Sequence, residues 1–171
     1  MPPTPALPLR FTETQSFLRS WWPLLLLPVL LVVFLPVLGT VHGPGRGSAT
    51  GLVTTTGAIT ALLIAFLLLT LRLETQVDAT GINYRMRPFQ GSWRHLPWAA
   101  IRTAQVRTYS PIGEYGGWGF KGTARNRAYN VAGSAGLQLE LTDGSRLLLG
   151  TQQPEALRQV LADLGHLPEA I

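Results

Sequence analysis

Two long apolar runs near the start of the chain are followed by a different, alternating pattern. Residues 21–40 contain no charged side chain, and neither do residues 51–71. Because a helix rises about 1.5 Å per residue, each run is long enough to cross the roughly 30 Å hydrocarbon core of a bilayer. A glycine-rich link with a single base, Arg46, joins the two runs. The pattern predicts a transmembrane helical hairpin over residues 20–71.

Basic residues flank this hairpin on its outer sides. The flanking bases are Arg10, Arg19, Arg72, Arg85 and Arg87. Since cytoplasmic flanks are enriched in arginine and lysine, both termini are predicted to lie in the cytoplasm, with residues 1–19 as a cytoplasmic tail. A cleaved signal peptide is the alternative for the first run. That alternative is disfavoured because the run exceeds the usual apolar length of about 7–15 residues and no small-residue cleavage site follows it.

From Arg72 onward, apolar and polar residues alternate with a period of two, which is typical of half-buried strands. Ile82, Tyr84 and Met86 are predicted to face a core, and Asp143-Gly144 is a strong hairpin signal. Residues 154–164 then combine an initial proline with apolar positions at helical spacing. We expect about six or seven antiparallel strands followed by one amphipathic helix.

Two stretches of this region carry a family resemblance. They are Tyr109–Gly119 (YSPIGEYGGWG), and Ala128–Gly133 (AYNVAG) continuing to Gly150–Glu155 (GTQQPE). They are similar to the signature of a family of small, uncharacterised bacterial membrane proteins, and the element order resembles a pleckstrin-homology-like (PH-like) barrel. The resemblance covers residues 72–165 and brings no catalytic residues with it.

The resemblance and the patterns together give one predicted architecture. It is an α+β protein in which a two-helix transmembrane hairpin precedes a small antiparallel PH-like β-barrel closed by one C-terminal helix. The PH-like domain would occupy residues 72–171 and lie in the cytosol. The predicted location is the bacterial inner membrane, with several passes and both termini cytoplasmic.

Composition narrows the function classes. The chain has 171 residues, of which 46% are hydrophobic and only 13% charged, and its formal net charge is +5. So few charges exclude a disordered or nucleic-acid-coating polymer, and no nucleic-acid partner is predicted. The absence of cysteine excludes disulfides, thiolate nucleophiles and sulfur-ligated zinc.

Motifs for catalysis or cofactor binding are absent or lack their context. Gly117–Gly122 matches G-x-G-x-x-G, but no helical pattern follows to present an anion-binding N-terminus. The three histidines are scattered and no carboxylate pair has an evident common pocket. Neither apolar run contains an ionisable residue, which argues against a transporter. We therefore predict no enzyme, and no catalytic, cofactor-binding or metal-binding residue.

The leading functional hypothesis is a non-enzymatic integral membrane protein whose PH-like domain recruits or scaffolds partners, or senses anionic lipid. Its partners would be the lipid bilayer, anionic lipid headgroups and an unidentified membrane or cytosolic protein. The predicted lipid or partner surface comprises Arg85, Arg87, Tyr115, Trp118, Lys121, Arg125, Arg127 and Tyr129.

Three alternatives stay open at this point. A pocket beside the glycine-rich segment 113–122, lined by Glu114, Tyr115 and Arg125, would indicate a small-ligand-binding protein or an enzyme. An exposed sheet edge or apolar patch would indicate an assembly subunit. Small residues recur every fourth position at Gly57, Ala61 and Ala65, a spacing compatible with a homo-oligomer seam.

Overall fold

The computed structural model describes residues 10–17, 56–57, 59–60, 62–63, 66 and 69–166. These residues divide into two units, which we describe separately. One unit contains the described residues up to Ser16 and those from Leu71 onward, and it holds every strand. The other contains the described residues between Phe17 and Thr70, where those from residue 56 onward are helical.

The first unit contains nine strands and two helices. The strands are β1 Phe11–Ser16, β2 Arg72–Val77, β3 Gly81–Arg87, β4 Arg94–Pro97, β5 Ile101–Thr108, β6 Gly119–Gly122, β7 Asn126–Asn130, β8 Ala135–Leu141 and β9 Arg146–Gly150. A 3-10 turn at Trp98–Ala100 separates β4 from β5. The helices are α1, Pro111–Tyr115, and α2, Pro154–Asp163.

The first four strands form an antiparallel sheet in the order β1-β2-β3-β4. Strand β1 lies in the segment for which the sequence predicts a cytoplasmic tail. It pairs with β2 along its whole length, from Phe11 opposite Val77 to Ser16 opposite Arg72. The chain therefore leaves this sheet at Ser16 and re-enters it at the neighbouring position of the next strand.

The remaining strands form a five-stranded sheet in the order β5-β8-β9-β7-β6. Its pairs are antiparallel except β7 with β9, which run parallel. Asp143 stabilises the β8–β9 turn because its Oδ1 accepts hydrogen bonds from the Ser145 backbone N–H at 2.8 Å and hydroxyl at 2.6 Å. Gly144 supplies the positive φ of 80° that this turn requires.

The core lies between the inner faces of the two sheets. Alternation buries one side of each strand, as Ile82, Tyr84 and Met86 illustrate on β3. The Tyr84 and Tyr129 rings connect the sheets, with centroids 5.2 Å apart. Helix α2 adds two fully buried leucines. The fully buried leucines of the described residues are Leu73, Leu137, Leu139, Leu148, Leu149, Leu157 and Leu161.

Polar side chains of β1 fasten it to the end of β9. Glu13 is 4% exposed and its carboxylate accepts hydrogen bonds from the Thr151 hydroxyl at 2.6 Å and the Gln152 backbone N–H at 2.7 Å. Gln15 donates from Nε2 to the Gly150 carbonyl at 2.5 Å. A strand with two buried polar residues is thereby held in the core, because both find partners on the distant segment.

The structure corrects the predicted transmembrane hairpin. Its first helix, residues 21–40, lies outside the described residues. In the second, residues 51–71, the described positions from 56 to 70 are helical. Within the described part of the chain, no helix is long and apolar enough to cross a membrane. An uncharged composition predicts a span only when it comes with one continuous helix of sufficient length, and the described residues contain none.

The predicted fold class is accordingly wrong. The described residues form mostly strands in two sheets, one with a parallel pair, and the two helices of this unit are short. They do not show a transmembrane hairpin followed by a small antiparallel PH-like barrel. The prediction of a multi-pass protein of the bacterial inner membrane with both termini cytoplasmic depended on that hairpin, and it is wrong for the same reason.

The core contains a hydroxyl whose removal tests the packing. Thr75 on β2 is 3% exposed, and its Oγ1 has no hydrogen-bond partner among the described residues. Thr75→Val keeps the side-chain shape and removes an unpaired polar group, so we expect the free energy of unfolding to rise by about 1 kcal/mol. Thr14→Val, at an exposed position on β1, is the matched control and should stay within about 0.5 kcal/mol of the wild type. Urea unfolding measures both, and a destabilised Thr75→Val variant would contradict the assignment.

Candidate functional site

The two faces of the five-stranded sheet differ in chemistry. Residues that are paired across neighbouring strands share a face, so the register assigns each side chain to one side. Leu137, Leu139, Leu147 and Leu149 face the core. The alternate positions of these strands place Gln138, Glu140 and Arg146 on the outer face, together with Leu148, which is buried in a cluster with Tyr109 and Ala128.

A cleft of about 520 Å3 lies on this outer face. The side chains that line it come from four strands and from α1, and all of them are polar or aromatic. They are Gln105, Arg107, Glu114, Tyr115, Asn126, Gln138, Glu140 and Arg146. In the lining, two carboxylates balance two guanidinium groups.

Helix α1 forms one wall of the cleft, and its short sequence contains its own start and stop signals. The Ser110 hydroxyl caps the helix by accepting a hydrogen bond from the Gly113 N–H at 3.1 Å, and Pro111 occupies the first turn. Glu114 Oε1 in return accepts from the Ser110 N–H at 2.9 Å. Gly116 ends the helix with a left-handed φ of 71°.

Arg107 ties α1 to the sheet with all five of its N–H groups. Nη1 and Nη2 form a bidentate pair with the Glu114 carboxylate, at 3.2 and 2.6 Å. Nη2 and Nε also donate to Gln138 Oε1, at 3.0 and 3.4 Å, and Nη1 donates to the Thr108 carbonyl at 3.3 Å. The Arg107 side chain is thus saturated, and its role in the cleft is to position Glu114 and Gln138.

Aromatic packing supports the other end of α1. Tyr115 packs against a buried cluster of Tyr109, Ala128 and Leu148, and its ring meets Tyr109 edge-on with centroids 6.0 Å apart. The Tyr109 ring fits here because residue 136 is glycine: a Cβ at this position would lie 3.1 Å from Tyr109 Cε1 and from the Leu149 carbonyl oxygen. The Tyr115 hydroxyl reaches the cleft, 3.5 Å from Gln138 Oε1.

A fully buried amide links this cluster to β6. Asn130 donates from Nδ2 to the Tyr109 hydroxyl at 3.0 Å and accepts on Oδ1 from the Gly119 N–H at 2.9 Å. Both of these bonds are buried, so each partner would carry an unpaired polar group if Asn130 were lost. Asn130 therefore connects the aromatic cluster to the edge strand β6 through hydrogen bonds.

The opposite side of the cleft has unused hydrogen-bonding groups. Arg146 is 61% exposed, and its Nε lies 3.3 Å from Glu140 Oε1. In the part of the chain that the structure describes, its two terminal nitrogens have no hydrogen-bond partner, and neither do the side-chain amides of Gln105 and Asn126. The cleft thus combines a rigid, saturated wall with a side that has free donors and acceptors.

The ionisation of the cleft follows from these contacts. The hydrogen bonds of Arg107, followed by that of the Ser110 N–H, hold the pKa of Glu114 below its ordinary value. Burial raises the pKa of the Tyr115 phenol, against the opposing charge of Arg107. Burial likewise raises the pKa of Tyr109. At neutral pH, Glu114 is ionised and both phenols are neutral hydrogen-bonding groups.

The predicted lipid or partner surface does not form one face. Tyr115 lines the cleft, and Lys121 on β6 shares the outer face of the sheet with Ala128, its register partner. Arg125 lies in the β6–β7 turn beside Arg146, whose backbone N–H donates to the Arg125 carbonyl at 2.8 Å. Arg125 itself does not line the cleft, contrary to the pocket predicted from the sequence.

The other members of that set lie elsewhere. Arg85 and Arg87 are on the four-stranded sheet, where both approach Glu74, at 2.5 and 3.7 Å. Arg127 faces the opposite side of β7, 6.0 Å from the Phe120 ring. Trp118 donates its indole N–H to the Gly133 carbonyl at 3.2 Å.

Tyr129 corrects the predicted surface directly. It is 1% exposed, between the rings of Tyr84 and Phe120, and so belongs to the core. Its hydroxyl accepts a hydrogen bond from Gln90 Nε2 at 3.0 Å, which satisfies the polar end of the buried side chain.

Most of the cleft is not predicted from the sequence. The site residues without a sequence prediction are Gln105, Arg107, Asn126, Gln138 and Arg146, and the cleft also brings together Glu114 and Glu140, for which the sequence indicates no common pocket. The alternation pattern assigns Gln138 and Glu140 to a polar face of the sheet, so it predicts part of the cleft lining. The strand register that brings the other residues beside them has no local signature.

Comparison with known proteins gives no family assignment. No protein-family model matches the chain, and no curated protein is similar to it.

The Arg107–Glu114 pair gives the site a pH-dependent contribution to stability. The pKa of Glu114 is lower in the folded state than its ordinary value of 4.5, so the carboxylate stabilises the fold above that value and stops doing so as the pH falls through the folded-state pKa. Glu114→Gln should therefore lower the free energy of unfolding at neutral pH, by at most about 1 kcal/mol because the pair is partly exposed.

This difference from the wild type should shrink as both proteins are acidified below the ordinary glutamate pKa. Urea unfolding at neutral and acidic pH measures it. The control is Glu155→Gln on α2, whose carboxylate is 83% exposed and whose replacement should change the free energy of unfolding by less than about 0.5 kcal/mol. Parallel stability profiles for Glu114→Gln and the wild type would contradict the assigned role.

Proposed function

We propose that the protein binds a small polar molecule in the cleft on the outer face of the five-stranded sheet, and that it does so without chemical conversion. The observation that carries this proposal is the cleft itself, a concave site that eight polar or aromatic side chains line. Its volume of about 520 Å3 falls within the range of about 300–1,000 Å3 that is usual for small-ligand sites.

The structure of the wall supports binding by a pre-formed site. Arg107 and Glu114 are saturated by each other and by their neighbours, so the wall does not need to rearrange. Tyr115 offers an aromatic surface and a hydroxyl at the same place. Pre-organised groups lower the entropic cost of binding, since fewer side chains must be ordered when the ligand arrives.

Binding is favoured over catalysis because the carboxylates are committed to arginine. A general acid at neutral pH needs a raised pKa, whereas Arg107 lowers that of Glu114. Glu140 also approaches an arginine, Arg146. Partner recruitment and recognition of anionic lipid headgroups stay predictions from the sequence. They are not favoured here because the basic residues named for them are distributed over both sheets.

A ligand screen with a cleft-filling variant tests the proposal. The full chain is assayed by thermal shift against sugars, sugar phosphates, amino acids and nucleosides, and a ligand that binds the folded state raises the melting temperature. Gln105→Trp places a large side chain over the cleft from an exposed strand position and should abolish the response. Gln159→Trp, at an exposed position on α2, should retain it. If no class of compound raises the melting temperature, or if both variants respond like the wild type, the proposal is wrong.

A further inference from the structure

The saturated and unsaturated groups of the cleft are separated in space, and this separation bears on the class of ligand. Arg107 has no free N–H left, so its charge is not available to a ligand. Arg146 places Nε 3.3 Å from Glu140 Oε1. Its Nη1–Nη2 edge is free within the described residues and can accept two oxygens of one acidic group in parallel.

The charges around Arg146 favour an anion at that edge. Glu140 neutralises one positive charge, while Arg125 adjoins Arg146 through the backbone hydrogen bond already described. Lys121 adds a further positive charge on the same outer face of the sheet. Among the described residues, Glu140 is the carboxylate that pairs with Arg146, and the Asp143 carboxylate interacts with Arg125. The excess positive charge on this side of the cleft is therefore the single charge of Lys121.

The rest of the lining is neutral and rich in hydrogen-bonding groups. Gln105 and Asn126 provide unused side-chain amides, each with donors and an acceptor. The Tyr115 hydroxyl keeps its proton at neutral pH because burial raises its pKa. Side chains that both donate and accept hydrogen bonds match the hydroxyls of a polyol, because each hydroxyl is also both a donor and an acceptor.

We propose that the ligand is a small polyhydroxylated molecule with one acidic group, which docks on the Nη1–Nη2 edge of Arg146 while its hydroxyls bond to Gln105, Asn126 and Tyr115. This inference rests on the proposed function and assigns its ligand class. The acidic group adds charge-assisted hydrogen bonds, so an acidic sugar binds more tightly than the same sugar without its acid.

Isothermal titration of the full chain with ribose 5-phosphate, ribose and inorganic phosphate tests the assignment. We expect ribose 5-phosphate to bind about tenfold or more tightly than ribose, which corresponds to the gain expected from one charge-assisted interaction. It should also bind more tightly than inorganic phosphate, which lacks the hydroxyls. Added salt should weaken the preference for the phosphate ester.

Arginine variants identify the group responsible. Arg146→Gln should remove the preference for ribose 5-phosphate over ribose, while Arg146→Lys should keep part of it because the charge remains and the fork is lost. Arg158→Gln is the matched control, an exposed arginine on α2 that pairs with Glu155, and it should behave like the wild type. Circular dichroism verifies that each variant is folded.

The outcomes separate this inference from the proposed function. If compounds bind in the cleft but ribose 5-phosphate is no better than ribose, or if Arg146→Gln keeps the preference, the ligand class is wrong and the cleft remains a binding site. If no compound of the broader screen binds either, the proposed function fails, and this inference fails with it.

Discussion

The alternation of the five-stranded sheet is the constraint on which both the core and the cleft depend. Leu137 and Leu139 at alternate positions of β8 face the other sheet, opposite Leu149 and Leu147 of β9, and their burial fixes the register of β8. A slip of β8 by one residue would move Gln138 and Glu140 into the core and Leu137 and Leu139 to the outer face. The polar floor of the cleft is therefore a geometric consequence of the same pairing that buries the core.

Two further contacts turn that polar floor into a concave site. Arg107 and Glu114 hold α1 over one end of the sheet, and Tyr109 supports it from below, where Gly136 leaves room for the ring. The hydrogen-bond donors of Arg107 are all used within the protein to hold this arrangement. What remains for a ligand lies opposite the wall, around Arg146, and this division between rigid and free groups defines the recognition that we propose.

The sequence predicts local features well and long-range ones poorly. The Asp143-Gly144 turn and the inward face of β3 follow from neighbouring residues, and the structure agrees with both. Strand β1 gives no apolar alternation because two of its buried positions, Glu13 and Gln15, are polar and find their partners far along the chain. Helix α1 is too short to show a helical period, so the sequence does not predict it. The cleft depends on the register of four strands, which no local pattern specifies. The predicted membrane hairpin depended on composition, and no helix among the described residues is long and apolar enough to cross a membrane.

The location of a bound molecule in solution tests the cleft as a binding site. We expect ribose 5-phosphate, titrated into the isotopically labelled full chain, to shift the nuclear magnetic resonance signals of Gln105, Tyr115 and Arg146 and to give intermolecular contacts to them. Signals of α2 should stay in place. Shifts confined to the four-stranded sheet or to α2, or no shifts at saturating concentration, would contradict binding in the cleft.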